Sequence, residues 1–506
     1  MFKNLTIPLT LSMIFISGAY AGGPEIPPPA RLGAFNGVYI GMHAGALQGT
    51  VDNEINSTLS AGALPVLLQQ TESAYDSIFK MVGGIQFGWG HEFNVLYLGF
   101  DIDGTYQNFN ITNRYEIGAR TTATGNANAT ITTVSKLETS YGIDFHPGVL
   151  ISPAVLLYGK VGVLRSLFKV TSTTDTTVET GGGASIIVNN SASENTYGLL
   201  LALGIETKAS QHVGLGVEYQ YTSYPNLRAV LQHSPGSVFN SVNNFVNNSI
   251  TTSGVLFNVN YYFNDVVERQ RLWAHYEHGG FNGLYLGVHG GIRKGSLNFR
   301  LRHASVTSSA AGSFNFQTQE AQSDSAGGFI GLQLGYGHVF KWFYLGVDAL
   351  GSFQQIHVEG ANLGLSATTL TPAFTINTET GAILDGTYGI DVRPGVVVSP
   401  AVLLYVRVGA ERTRIRMQAF TKIEASGAGA GSFFVSNPEE LTGLRLGVGV
   451  ETKLSKHVGM NLEYLYTTYD KFSINGSTAT PIVFSNSTNY TLRTEGFLVG
   501  FHYFFN

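Results

Sequence analysis

Few residues in the chain have types and spacing that could do chemistry. His91-Glu92-Phe93-Asn94-Val95 begins like the zinc signature HExxH, in which two histidines one helical turn apart share a metal. The second histidine is missing here, and the stretch falls on a turn. His43 and His289 occupy matching positions in the two halves of the chain. With no further candidate ligands clustered around them, they read as hydrogen-bonding residues. Asp101 with Asp103, and Glu411 with Arg407, have the form of acid–base pairs, but structural ion pairs take the same form. His233-Ser234 lies in a loop without a counterpart in the second half, and Gly214-x-Gly216 lacks the strand-turn-helix setting of a nucleotide site. The sequence therefore predicts no catalytic residue, no metal ligand and no cofactor, and the protein is not expected to be an enzyme.

The elements that must position these residues come in two sets. GAFNGVYIGMHAG (33–45) returns as GGFNGLYLGVHGG (279–291), and YGIDFHPGVLISPAVLLYGKVGV (141–163) returns as YGIDVRPGVVVSPAVLLYVRVGA (388–410). The offset is 246 at Asn282 against Asn36, 247 at Asp391 against Asp144 and 245 at Glu463 against Glu218. A period this long marks duplicated domains, since solenoid units repeat every ~20–50 residues. The expected division is a signal peptide at 1–21, a Pro-rich leader at 22–32, a first repeat at 33–264, a linker at 265–278 and a second repeat at 279–506. The signal-peptide reading rests on Lys3, an apolar core from Leu5 to Ile16 and the Ala19-Tyr20-Ala21 cleavage pattern.

Composition narrows the class. Charged residues make up 12% of the 506, glycine is abundant at 62 and cysteine is absent. A net charge of −5 gives no basic face for nucleic acid. Zero cysteine excludes disulfides and thiolate metal sites.

Within each repeat, eight runs alternate apolar and polar residues with the period of strands. In 96–103, Leu96, Leu98, Phe100 and Ile102 lie on one face and Tyr97, Gly99, Asp101 and Asp103 on the other. The links alternate too: HEFN, SPA and ASQH are short, whereas 51–78, 112–132, 171–193 and 227–249 are long and rich in Ser, Thr, Asn and Gly. Such sorting predicts an all-β, transmembrane, antiparallel up-and-down β-barrel with turns on the periplasmic side and long loops outside. Closure satisfies the backbone in hydrocarbon. Two tandem eight-stranded barrels are favoured because the linker is long and charged; one sixteen-stranded barrel is the alternative.

Parity sorts the side chains. Val255, Phe257, Val259, Tyr261 and Phe263 face outward, with Trp89, Phe93, Tyr261 and Phe263 at the periplasmic rim and Tyr106, Tyr219 and Tyr221 toward the outer one. Inward lie Gln86, Asp101, Asp103, Asp144, His146, Lys160, Glu206 and Glu218 in the first repeat. Gln333, Asp348, Asp391, Arg393, Arg407, Glu411, Arg445, Glu451 and Glu463 take those roles in the second. These form an expected lumen network of structural ion pairs, in barrels narrow enough to be filled.

GVYIGMHAG, GLYLGVHGG and the closing strands FNVNYYFN and GFHYFFN resemble the OmpA/OmpX-like, porin-like outer-membrane protein β-barrel family, present here as a tandem duplication. The resemblance implies residence in the bacterial outer membrane, with its lipids as surroundings. The pattern Gly500-x-x-Tyr503-x-Phe505 resembles the signal read by the barrel-assembly machinery during biogenesis. It further implies a structural or surface-interaction role through extracellular loops, with a diffusion porin as the alternative. A barrel-embedded envelope hydrolase, with His233-Ser234 as its nearest match, has the least support.

Overall fold

The computed structural model describes residues 33–61, 68–121, 125–152, 154–179, 184–209, 212–225, 227–233, 239–263, 280–308, 312–358, 362–367, 374–399, 401–425, 429–478 and 483–505. The signal-peptide, leader and linker assignments lie outside these residues. Among the described residues every element is a β-strand.

The first ten strands are β1 (Gly37–Ala61), β2 (Leu68–Phe93), β3 (Leu96–Tyr106), β4 (Phe109–Thr121) and β5 (Gly125–Ser152), then β6 (Val155–Glu179), β7 (Ala184–Lys208), β8 (Val213–Ser223), β9 (Leu227–His233) and β10 (Phe239–Tyr262). β3 and β4 both pair with β5, and β8 and β9 both pair with β10, so the ten segments make eight staves. β1 pairs with β2 on one side and β10 on the other, which closes the barrel.

The second set begins with β11 (Gly283–Ser308), β12 (Gly312–Phe340), β13 (Phe343–Gln354), β14 (Ile356–Val358), β15 (Asn362–Ala367) and β16 (Phe374–Ser399). It continues through β17 (Val402–Ala425), β18 (Gly429–Lys453), β19 (Val458–Tyr469), β20 (Phe472–Thr478) and β21 (Val483–Phe504). Here β13, β14 and β15 share one stave against β16, and β19 and β20 share another against β21. β11 pairs with β12 and β21, closing a second barrel of its own. There are two antiparallel eight-stranded barrels in tandem. The sixteen-stranded alternative is overturned by those two separate closures.

The long polar links are a second correction. Most of 51–78, 112–132, 171–193 and 227–249 is strand continuing beyond the barrel body, as in β5 of 28 residues. The physical reason is that Thr favours strands and cross-strand Thr–Thr and Thr–Ser pairs support an antiparallel ribbon, while polarity alone mimics a loop. At ~3.3 Å per residue, strands of about 25 residues run roughly 80 Å, far beyond an apolar band of about 25 Å even when tilted.

The periplasmic turns are tight. Phe93 pairs with Leu96 across Asn94-Val95, and Phe340 with Phe343 across Lys341-Trp342. Both Asn94 and Lys341 sit at φ 63°, a left-handed position that Asn tolerates better than Lys. Gly37 and Gly283 take φ 93° and 99° at the entry of each barrel. The preceding Asn36 and Asn282 use their side-chain oxygens to accept from the backbone N–H of Glu92 and of Val339 (2.5 and 2.6 Å), tying each entry to the neighbouring stave.

The outer face follows the expected parity: Ile85, Phe87 and Trp89 on β2, and Ile330, Leu332 and Leu334 on β12, are exposed. One outward strip is covered instead. Val155, Ile205, Val217 and Val255 of the first barrel pack with Val402, Val450, Leu462 and Tyr464 of the second. Tyr219, expected to face lipid, stacks on Tyr464 at 5.9 Å and lies 5.5 Å from Phe497. By the repeat offset, Tyr219 and Tyr464 are equivalents of each other, so the two barrels meet through matching faces. Glu495, outward by parity, is buried there and accepts from Ser253 Oγ (3.2 Å) and Tyr464 Oη (2.8 Å).

Candidate functional site: the charged layers of the two lumens

Each lumen is stacked in three layers. At the periplasmic end of the first barrel, Phe35, Tyr39, Tyr97, Leu156, Tyr158 and Tyr262 form an aromatic plug. Lys208 Nζ lies over Tyr262, 2.9 Å from the ring centroid. At the extracellular end, Leu47, Val51, Phe109, Leu137, Phe168 and Ile250 form an aliphatic plug. The second barrel repeats both, with Phe281, Tyr285, Tyr344 and Phe504 below and Leu297, Ile356, Leu384, Ile415 and Leu492 above. Polar groups lie between.

In the first barrel, Asp101 is the hub. Tyr39 Oη donates to its Oδ1, and Lys160 Nζ reaches its Oδ2 at 3.3 Å. Lys160 also pairs with Glu218 Oε2 at 3.1 Å, which accepts from Tyr158 Oη at 2.9 Å. Glu206 accepts from Asn260 (2.8 Å) and Tyr262 Oη (2.9 Å), and Gln86 donates to Asn260 at 2.7 Å. Asp103 accepts from Thr105, whose hydroxyl touches His43 Nε2 at 2.8 Å. His146 stacks on Tyr158, and Asp144 sits inward opposite Gly162. Such buried groups persist only when paired.

In the second barrel, guanidinium groups take over. Arg407 forms an ion pair with Asp348 (2.9 Å) and donates to Asp391 (3.0 Å) and to both oxygens of Glu463 (2.8 and 2.9 Å). Arg393 pairs with Glu451 at 2.8 Å and lies 3.8 Å above the Tyr405 ring. Gln333 donates to Asp348 at 3.0 Å. Glu411 receives Arg445 Nε (2.7 Å), Arg293 (3.1 Å) and Tyr469 Oη, while Arg445 also holds Asp391 at 2.8 Å. His289 meets Ser352 at 2.9 Å.

All seventeen residues singled out from the sequence therefore point into a lumen, sixteen of them buried and Asp103 half-buried. Sequence reasoning passed over Arg293, His502 and the inward tyrosines 39, 158, 285, 405 and 469. A signal existed for four of these tyrosines: Tyr39, Tyr158, Tyr285 and Tyr405 each stand two or four residues along the strand from an inward charge or histidine, whereas Tyr469 is six from Glu463. Glycine spacing shows how large rings fit. A Cβ at Gly88 would strike Tyr39 and Asp101, and one at Gly335 would strike Tyr285 and Asp348. The chemistry-bearing motifs remain apart: Glu92 binds the Phe35 N–H at 2.6 Å, His91 stacks on Trp89 at the periplasmic rim, and Ser234 lies outside the described residues.

Closed barrels, an exposed apolar outer face with Tyr261–Phe263 and Tyr503–Phe505 pairs at the rim, and charges confined within define an integral outer-membrane β-barrel protein. The chain belongs to the outer membrane protein beta-barrel domain family, whose profile matches residues 9–263 and 302–505, one segment over each barrel. Its place is the bacterial outer membrane. Solved structures that resemble it include a Pseudomonas aeruginosa FadL homologue (9% identity, 94% of this chain and 92% of that one, TM-score 0.23). Others are the attachment invasion locus protein Ail of Yersinia pestis (12%, 41% and 98%, 0.15) and the Escherichia coli outer membrane protease OmpT (9%, 92% and 97%, 0.17). At these scores the likenesses carry no argument about activity. No curated protein matches the chain.

Proposed function

We propose that the protein is a non-conducting, non-catalytic outer-membrane barrel pair. In this reading it serves envelope integrity and presents its extracellular β-ribbons as a surface for interaction. The observation that carries this reading is the filling of both lumens: an aromatic plug, a paired charge layer and an aliphatic plug lie in series along each axis. Eight staves enclose just enough room for side chains, and here side chains use it. The surrounding lipids and, during biogenesis, the barrel-assembly machinery are the partners this reading requires. The closing pattern Gly500-x-x-Tyr503-x-Phe505 supports the latter. The domain division at 33–264 and 279–506 goes with it.

Planar-bilayer recording on the purified protein tests this. The expected result is a silent membrane after insertion, with insertion confirmed by protease protection of the barrels. Steady, stepwise conductance would overturn the proposal in favour of a solute channel.

A further inference from the structure

The two lumens share a plan but not a charge balance. In the second, the buried carboxylates Asp348, Asp391, Glu411, Glu451 and Glu463 face the cations Arg293, Arg393, Arg407, Arg445 and Lys453. In the first, Asp101, Asp144, Glu206 and Glu218 are buried with half-buried Asp103 beside them, and the buried permanent cations are Lys160 and Lys208. Matching positions show where the difference arises. Arg393 corresponds to His146, and Arg445, which holds Asp391, corresponds to Leu200, so the equivalent Asp144 has lost that guanidinium.

Asp144 is 2% exposed, and its Oδ1, like that of Asp391, has no hydrogen-bond partner. Asp391 is compensated at its other oxygen, where Arg407 and Arg445 donate to Oδ2. His146 Nε2 lies 2.8 Å from Asp101 Oδ2. One ligand atom from each of Asp101, Asp144 and His146 falls within 4.8 Å of the others, and all three side chains are buried. Lys160 Nζ is shared between Asp101 Oδ2 at 3.3 Å and Glu218 Oε2 at 3.1 Å. An uncompensated buried carboxylate is expensive unless it is neutralised or coordinates a metal.

We propose that Asp101, Asp144 and His146 bind a divalent transition-metal cation of the zinc type, which supplies in the first lumen the charge that Arg393 and Arg445 supply in the second. Two carboxylates and one imidazole match zinc, with its ligand distances of about 2.0–2.2 Å, whereas calcium and magnesium take oxygen ligands alone. The plugs above and below place ion entry at the folding step, so binding is coupled to folding. The role is structural: no position faces a substrate. The inference stands apart from the proposed surface role and is tested separately.

The test refolds the full chain in detergent with zinc, removes loosely held ion by brief chelation, and measures metal by mass spectrometry. The expected result is about one zinc per folded chain, falling at least ~10-fold in H146R, which copies the second lumen, and in D144N. H146R should retain the gel mobility of the folded barrels without zinc. Cobalt in place of zinc should give a visible ligand-field spectrum that both variants lose. Zinc-free wild-type protein, or zinc and cobalt signals unchanged in either folded variant, overturns the proposal. Should H146R fail to fold, D144N alone decides in the same way.

Discussion

The second lumen contains a buried Arg293–Glu411–Arg445 cluster where the first has Leu47, Leu164 and Leu200 at the matching positions. The protein thus carries both solutions to the same packing problem, and the perturbation is to copy one onto the other. Replacing all three charges by leucine removes the Arg293 and Arg445 contacts to Glu411, at 3.1 and 2.7 Å, and the second contact of Arg445 to Asp391. Asp391 keeps Arg407 at 3.0 Å, and Tyr469 is left in the setting that Tyr224 occupies in the first barrel. Ion desolvation no longer has to be offset, so the triple variant should fall between neutral and about 1–4 kcal/mol more stable. Glu411→Leu alone leaves Arg293 buried without its carboxylate and Arg445 with Asp391 only, and should cost about 3–5 kcal/mol. Urea unfolding in detergent, followed by the mobility difference between heated and unheated samples, measures both. If the triple variant is as damaged as Glu411→Leu, the three residues are not one interchangeable unit and the reasoning fails.

Other expectations are simpler. Leu203, outward and 36% exposed, should lose about 2–4 kcal/mol as Leu203→Arg if it lies near the midplane, read as reduced refolding into vesicles. Gly335→Leu drives a side chain into Tyr285 and Asp348 and should prevent the second barrel from reaching its folded mobility, whereas Gly351→Ala, with open space around its Cβ, should be far milder. Lys341→Asn relieves a left-handed backbone position and should stabilise by up to about 1 kcal/mol; an unchanged urea midpoint would count against strain there. Arg407→Lys keeps the charge but loses the two-pronged hold on Glu463, a loss of about 1–3 kcal/mol that the same unfolding assay resolves.

Alternation made the barrels legible, because a face that meets hydrocarbon and a face that meets packed charges demand opposite residue types at every second position. It also placed Asp144 with Lys160 and Asp391 with Arg407 on inward faces before any geometry was known. Three things resisted. Arg293 sits among glycines in GGIRKGS, where alternation gives no contrast to set parity. The polar ribbons of 112–132 and 171–193 look like loops because their residues are polar in both parities, so no apolar side marks the strand. The contact between barrels was hidden because Ile205 and Val217 carry the same chemistry whether they meet lipid or another protein surface. Glu495 was the available clue, since a carboxylate on an outward parity has no place in hydrocarbon.

That contact has a bearing on the duplication itself. Tyr219 with Tyr464, and Ser253 with Glu495, are matching positions of the two repeats brought face to face, as in a twofold pair of identical subunits. Two identical copies could not place a serine opposite a glutamate, since each change would appear on both sides at once. Fusion in one chain removes that constraint. It lets one member keep an arginine-rich interior and the other an acid-rich one while their shared seam stays matched. The linked pair is therefore free to specialise in a way that a symmetric dimer is not.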